Sequence, residues 1–229
     1  MENSQLLLMI ALAFLLGIRH GFDLDHLATI DSITRTVSHH RLLSKIAGFL
    51  FSLGHGLVVI LISLIIGSGF KPTAVPKWLN GLGNSISITF LLTLGLLNLW
   101  NVCQSPKKEA TPISVKNYLS KKLIGKKLNP IIILLIGVLF ALSFDTVSQV
   151  VLFSLTATAL AGCLFSGLLG LVFMLGMMMA DGLNGLLVSA WLRYTNGRSS
   201  LLARSTGLMI ASFSLILGVI NCYKMFHDA

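Results

Sequence analysis

Stretches of about 18 or more mostly apolar residues recur along this chain, each long enough to cross a hydrocarbon core of about 30 Å at about 1.5 Å per helical residue. The runs are continuous rather than alternating in period two, which argues against barrel strands. The expected fold is therefore all-α, a polytopic membrane protein of about six transmembrane helices. The expected spans are about 5–27, 46–69, 82–103, 130–155, 163–191 and 205–226. Polar residues interrupt the fourth at Asp145 and the fifth at Asp181. With 55% hydrophobic and 11% charged residues, the chain lacks the polar material to clothe a soluble domain. The start, Met1-Glu2-Asn3, lacks the basic character of a signal peptide, so the first helix is expected to remain in the mature protein.

The formal charge of +9 is unevenly distributed. Six spans place the 35–45, 104–129 and 192–204 segments on one side, and these hold thirteen of the 17 lysines and arginines. Lys71, Lys77 and Lys224 fall on the other side, and Arg19 lies within the first span. The positive-inside rule makes the basic side cytoplasmic and puts both termini outside. The lysine-rich loop then reads as a topology signal touching anionic membrane lipid, not as a nucleic-acid site. Cys103, Cys163 and Cys222 are odd in number and widely spaced, which suggests neither a disulfide nor a thiolate metal site.

A weak internal repeat runs through the chain. Phe22-Asp23 recurs as Phe144-Asp145, Phe51-x-Leu53-Gly54-His55 as Phe173-x-Leu175-Gly176-Met177, and Phe90-x3-Leu94-Gly95-x2-Asn98 as Phe213-x3-Leu217-Gly218-x2-Asn221. A repeat of three helices enters the membrane from the opposite face the second time, so its two copies are expected to be inverted, as in many secondary transporters. The expected division is a first three-helix repeat over 1–103, a basic cytoplasmic linker over 104–129 and a second three-helix repeat over 130–229.

Ionisable groups inside apolar helices are costly and are usually paired, hydrated or functional. The densest cluster is Arg19-His20-Gly21-Phe22-Asp23-Leu24-Asp25-His26. On a continuous helix, His20, Asp23 and His26 fall at about 0°, 300° and 240°, one stripe of metal-capable ligands, with Asp25 at about 140°. Asp25 then either orients a histidine, or the helix opens near Gly21 and brings Asp25 inward. An Arg19–Asp23 ion pair is the structural alternative for those two residues. Imidazole mixed with carboxylate suits a first-row transition metal rather than magnesium or calcium. His55 sits mid-span between Gly54 and Gly56, and Met177 takes the matching place in the second half, where thioether ligation competes with ordinary packing. Asp145, Thr146, Asp181 and Asn184 add polar groups to the second half, for ligation, proton coupling or helix locking. His39, His40 and His227 are expected to be solvated. No phosphate-binding loop, zinc-protease helix or nucleophile elbow is present, so the chain is not expected to be an enzyme or to hold a resident cofactor.

The segment Arg19-His20-Gly21-Phe22-Asp23-Leu24-Asp25-His26-Leu27 resembles the Arg-His-Ala-x-Asp-Ala-Asp-His-Ile signature of the nickel/cobalt transporter (NiCoT) family. Leu53-Gly54-His55 is similar to its Leu-Gly-His-Ser segment, Phe144-Asp145-Thr146 to its Phe-Asp-Thr-Ala-Thr-Glu segment, and Gly176-Met177 through Asp181 and Asn184 to its fourth motif. The resemblance implies a permease of the bacterial cytoplasmic (inner) membrane that takes up Ni(II) or Co(II). It implies metal recognition by His20, Asp23, Asp25 and His26, supported by His55. Gly56, Gln149 and Asn184 depart from the pattern where the family has a hydroxyl, an acid and an aspartate. Typical members also have about eight helices, so the chain reads as a short, divergent member. Metal binding requires neutral imidazole, so uptake is expected to weaken as pH falls through the histidine range unless protons drive it. Rival readings are a metal exporter with the same site, a membrane accessory protein for urease or hydrogenase maturation, and a haem-holding electron carrier. Homo-oligomerisation is compatible with any of these.

Overall fold

The computed structural model describes residues 3–38, 40–69, 77–104, 129–142, 147–158, 162–195 and 200–227. Asp145, Thr146, His39 and nearly all of the expected 104–129 linker lie outside the described residues. Within them the chain is helical and contains no strand. The helices are α1 (Asn3–Gly21), α2 (Leu24–Thr36), α3 (Arg41–Gly67), α4 (Lys77–Gln104), α5 (Pro130–Phe140), α6 (Val147–Thr158), α7 (Gly162–Thr195) and α8 (Ser200–His227).

Four of them contain stretches long and apolar enough to cross a membrane: Asn3–Gly21, Arg41–Gly67, Gly162–Tyr194 and Gly207–His227. The sequence led to an expectation of about six. Among the described residues, the third and fourth expected spans contribute shorter apolar stretches, Asn84–Thr93 within α4 and Pro130–Phe140. The expected 5–27 span is not one rod. The amide of Phe22 still reaches the Ile18 carbonyl at 3.2 Å and that of Asp23 reaches His20 at 2.9 Å, and then the chain turns extended at Asp23 (φ −63°, ψ 143°). A new helix starts at Leu24, its ladder opening with Leu27 N–H donating to the Asp23 carbonyl at 3.1 Å. The expected 130–155 span is likewise divided, α5 ending at Phe140 and α6 beginning at Val147.

Helices α3 and α7 form the centre and run antiparallel. Ser44 Oγ meets Ser189 Oγ at 2.9 Å near one end, and Gly67 lies against Ser166 and Cys163 near the other. In lipid there is little hydrophobic drive between helices, so close backbone packing over small residues supplies the attraction. At Gly48 the backbones are so near that a Cβ would fall on the Asp181 carbonyl. Helix α1 lies on α7 with Gly17 against the Phe173 carbonyl and Gly176 against that of Phe14; α5 lies on α3 with Gly137 against the Phe51 carbonyl and Gly54 against that of Leu134. The two contacts are reciprocal, carbonyl to glycine in both directions. Helices α4 and α8 pair antiparallel at the side, Gly95 on Leu215 and Gly218 on Leu92. One apolar cluster joins Ile30, Val37, Ala47, Phe51, Ile133 and Phe140; a second joins Ala13, Val59, Leu152, Leu169, Phe173 and Met177.

Gly48→Ala must push α3 off α7, and overpacking of this kind costs about 1–3 kcal/mol. Nothing lies within 4 Å of a Cβ built at Gly81 in α4, so Gly81→Ala should be neutral or stabilise by up to about 1 kcal/mol. Thermal unfolding of the two purified variants in detergent should show this opposite ranking.

Candidate metal site

Three imidazoles meet where α1 ends, α2 begins and α3 passes its middle. His20 stands in the last turn of α1, His26 in the first turn of α2 and His55 near the centre of α3. Each is about 1% exposed. One nitrogen from each ring can be chosen so that all lie within 4.8 Å of one another. Ring centroids are 4.5 Å apart for His20 and His26, 4.9 Å for His26 and His55, and 5.0 Å for His20 and His55. The histidines converge because the helix breaks between the first two. The single-rod stripe expected from the sequence is replaced by two helix ends facing one another.

The hydrogen bonds orient the rings. His20 Nδ1–H donates to Asp23 Oδ2 at 3.0 Å, and His26 Nδ1–H donates to Asp181 Oδ2 at 3.1 Å. A neutral imidazole carries one N–H and one lone pair, so both carboxylates leave Nε2 as the electron donor. The Gln149 amide N–H donates to His55 Nε2 at 2.9 Å, which gives that atom a lone pair too. His20 Nε2 lies 3.2 Å from the same His55 atom, so these two ring nitrogens and the Gln149 amide meet at the centre of the site. Carboxylate held on the far nitrogen of a ligating histidine fixes ring and tautomer and strengthens the ligand.

Asp181 is wholly buried and also accepts from Ser52 Oγ at 2.5 Å. Its Oδ1, His55 Nδ1 and Gln149 Oε1 have no hydrogen-bond partner among the described residues. The helix opens, and Asp25 Oδ1 accepts the His26 backbone N–H at 2.9 Å in the first turn of α2. Asp23 sits on His20, with Arg19 Nη1 3.8 Å away and also donating to Ser148 Oγ at 2.5 Å. Met177 lies in the apolar cluster with Phe173, whose ring centroid is 5.5 Å from that of His20. Asn184 Nδ2 donates to the Leu27 carbonyl at 3.4 Å, tying α7 to α2. Asp145 and Thr146 lie outside the described residues.

Sequence reasoning did not single out Ser52, and it met Gln149 only as a missing acid. The available signals were slight. Ser52 is one helical turn before His55, and Gln149 is the one amide in the apolar stretch Val147–Thr158.

The family model described as high-affinity nickel-transport protein (NicO) matches residues 6–228. The chain belongs to the NicO family. It is 29% identical to the nickel transporter NixA of Staphylococcus aureus, over an alignment covering 95% of this chain and 72% of that protein. Its identity to the high-affinity nickel-transport protein NixA of Helicobacter pylori is also 29%, covering 99% of this chain and 77% of the relative. The cobalt transport protein NhlF of Rhodococcus rhodochrous is 30% identical over 66% of this chain and 49% of its own length. No solved structure matches. Together with its apolar helices, membership of the NicO family makes this a multi-pass membrane protein with a transporter's lineage.

Asp181→Asn removes the anion that holds His26. Loss of such a partner typically weakens metal affinity about 10–100-fold, and nickel titration of the purified variant should show that loss with helicity unchanged. Unaltered affinity would mean that Asp181 does not orient the ligand.

Proposed function

We propose that this member of the NicO family is a secondary permease that takes up Ni(II) or Co(II) across the bacterial cytoplasmic membrane. The observation that carries the reading is the trio of buried imidazoles His20, His26 and His55, with Asp23 and Asp181 behind two of them. Nitrogen ligands backed by carboxylates suit late first-row divalent ions, and Asp23 and Asp181 supply charge balance. A dehydrated divalent ion loses its water ligands on entering apolar protein, and imidazole nitrogens would offset that loss. The printed names of the relatives, nickel and cobalt transporters, agree in cargo.

The working unit would be six crossings rather than eight, with α1–α2 and α5–α6 each serving as one broken crossing. In support, Gly17 and Gly21 lie along Phe173–Asp181 while Leu27 reaches Asn184, so α1 and α2 follow α7 in succession. The reciprocal contacts of α1 on α7 and α5 on α3, and the antiparallel pairing of α3 with α7 and of α4 with α8, support inverted halves over 1–103 and 130–229 joined by the 104–129 linker. His55 lies near the middle of α3, so the ion would bind near the midplane, as expected between inverted halves. The basic 35–45, 104–129 and 192–204 segments would face the cytoplasm, with both termini outside. No catalytic step and no resident cofactor enter this account, and it holds for a monomer or a homo-oligomer.

Elemental analysis of cells expressing the wild-type chain or His26→Ala, grown with trace nickel, cobalt, zinc and manganese, tests the reading. The wild type should accumulate nickel or cobalt, and His26→Ala at equal membrane expression should lower that accumulation by about tenfold or more. Metal depletion would mean export, and no change would favour an accessory role.

A further inference from the structure

Beyond His26, α2 is enclosed by α3, α4, α7 and α8, yet six of its last eight residues are polar: Thr29, Asp31, Ser32, Thr34, Arg35 and Thr36. Thr29, Ser32 and Thr34 are fully buried, and Arg35 is 3% exposed. Buried hydroxyls on helices ordinarily bond back to a carbonyl one turn earlier. Thr36 does so to Ser32 at 2.8 Å. Thr29 Oγ1, Ser32 Oγ and Thr34 Oγ1 do not, and with Arg35 Nη1 they have no hydrogen-bond partner among the described residues. Dry packing rarely leaves so many polar atoms unmatched on one short helix, whereas a route for a hydrated ion needs them.

Within this stretch lies a forked ion pair, Arg35 Nε to Asp31 Oδ2 at 2.7 Å and Arg35 Nη2 to Asp31 Oδ1 at 3.1 Å. Its side chains are 4% and 13% exposed, whereas those of the Arg19–Asp23 pair, on the opposite side of the histidines, are 55% and 23% exposed. The Arg35–Asp31 pair is thus enclosed by protein where the Arg19–Asp23 pair is not. Asp31 stands five residues beyond His26, about 7.5 Å along the helix axis, toward the basic 35–45 segment.

We propose that the Thr29–Arg35 segment of α2 is the release route from the histidine site, and that Asp31, with the Thr34 hydroxyl one turn on, is a second, oxygen-only cation station that Arg35 covers. This rests on the permease reading above. Oxygen donors hold a late divalent metal less tightly than imidazole does. Conduction needs such a gradation, a site firm enough to accept the ion and loose enough to surrender it. The arriving cation takes the place of the guanidinium on the Asp31 carboxylate, and Arg35 swings aside, so the positive charge that bars the route is removed by the ion that uses it.

The test compares wild type, Ser32→Ala/Thr34→Val and Asp31→Asn/Arg35→Gln, with nickel binding measured on purified protein in detergent and radioactive nickel uptake measured in cells at matched membrane expression. Both variants should bind nickel within about twofold of wild type while taking it up about tenfold more slowly. Uptake at the wild-type rate would overturn the proposal, because unpartnered hydroxyls in dry packing are replaced by apolar groups without functional loss. Equal loss of binding and uptake would also overturn it, making the stretch a support for the histidines. Should Asp31→Asn/Arg35→Gln fail to reach the membrane, Ser32→Ala/Thr34→Val changes no charge and decides the question alone. A wild-type chain that accumulates no metal would defeat the permease reading instead.

Discussion

A helix inside a bilayer can be interrupted only where protein or enclosed water meets the freed backbone groups, and the rest of this structure is organised around one such interruption. The turn at Phe22 and Asp23 ends α1 and starts α2 within two residues. It places two histidines six positions apart on facing helix ends, and it lets Asp23 fold back onto one ring while the carboxylate of Asp25 takes up a backbone N–H of the new helix. Helices α3 and α7 close over the break, one bringing His55 and Ser52 and the other Asp181. Glycines at the contacts of α1 with α7 and α3 with α7 allow the backbones near enough for these short side chains to reach.

The division of labour among the groups follows from their chemistry. Imidazoles supply lone pairs, carboxylates hold the opposite ring nitrogens, and Ser52 and Gln149 take remaining positions on Asp181 and His55. The carboxylates of Asp23 and Asp181 are themselves hydrogen-bonded, which limits the penalty of keeping them away from water. All three histidines come from the helices before residue 70, while the groups that restrain them from a distance, Asp181 and Gln149, come from helices after residue 146.

Much of this was legible in the sequence, and the remainder failed for identifiable reasons. The helical class followed from continuous apolar runs, and the i, i+3 spacing of His20 and Asp23 fits the bond between them, whereas the closeness of His26 comes from the break. A wheel drawn on an unbroken helix could not decide the place of Asp25, because its geometry is set by the break itself; Gly21 only hinted at that break. Among the described residues, four of the six expected spans reach the length and apolarity of a crossing. Helix α4 carries Asn80, Asn84, Ser85, Ser87, Thr89 and Thr93 among its apolar residues, and α5 stops at Phe140. Partnerships such as Asp181 with His26 join residues 155 positions apart and leave no local signature. The polar stretch of α2 was hidden for a related reason: with its first turn assigned to one apolar span and its end to a cytoplasmic loop, the middle belonged to neither.

The bond from His26 to Asp181 has a further consequence for how tightly an ion can be held. It joins α2 to α7, and Asn184 joins the same two helices through Leu27. Any motion that draws α7 away from α2 strips the carboxylate from the imidazole and makes that nitrogen a poorer donor at the moment the site opens. Grip and opening are thereby mechanically opposed, so one displacement both clears the exit and loosens the cargo, and tight capture need not entail slow delivery.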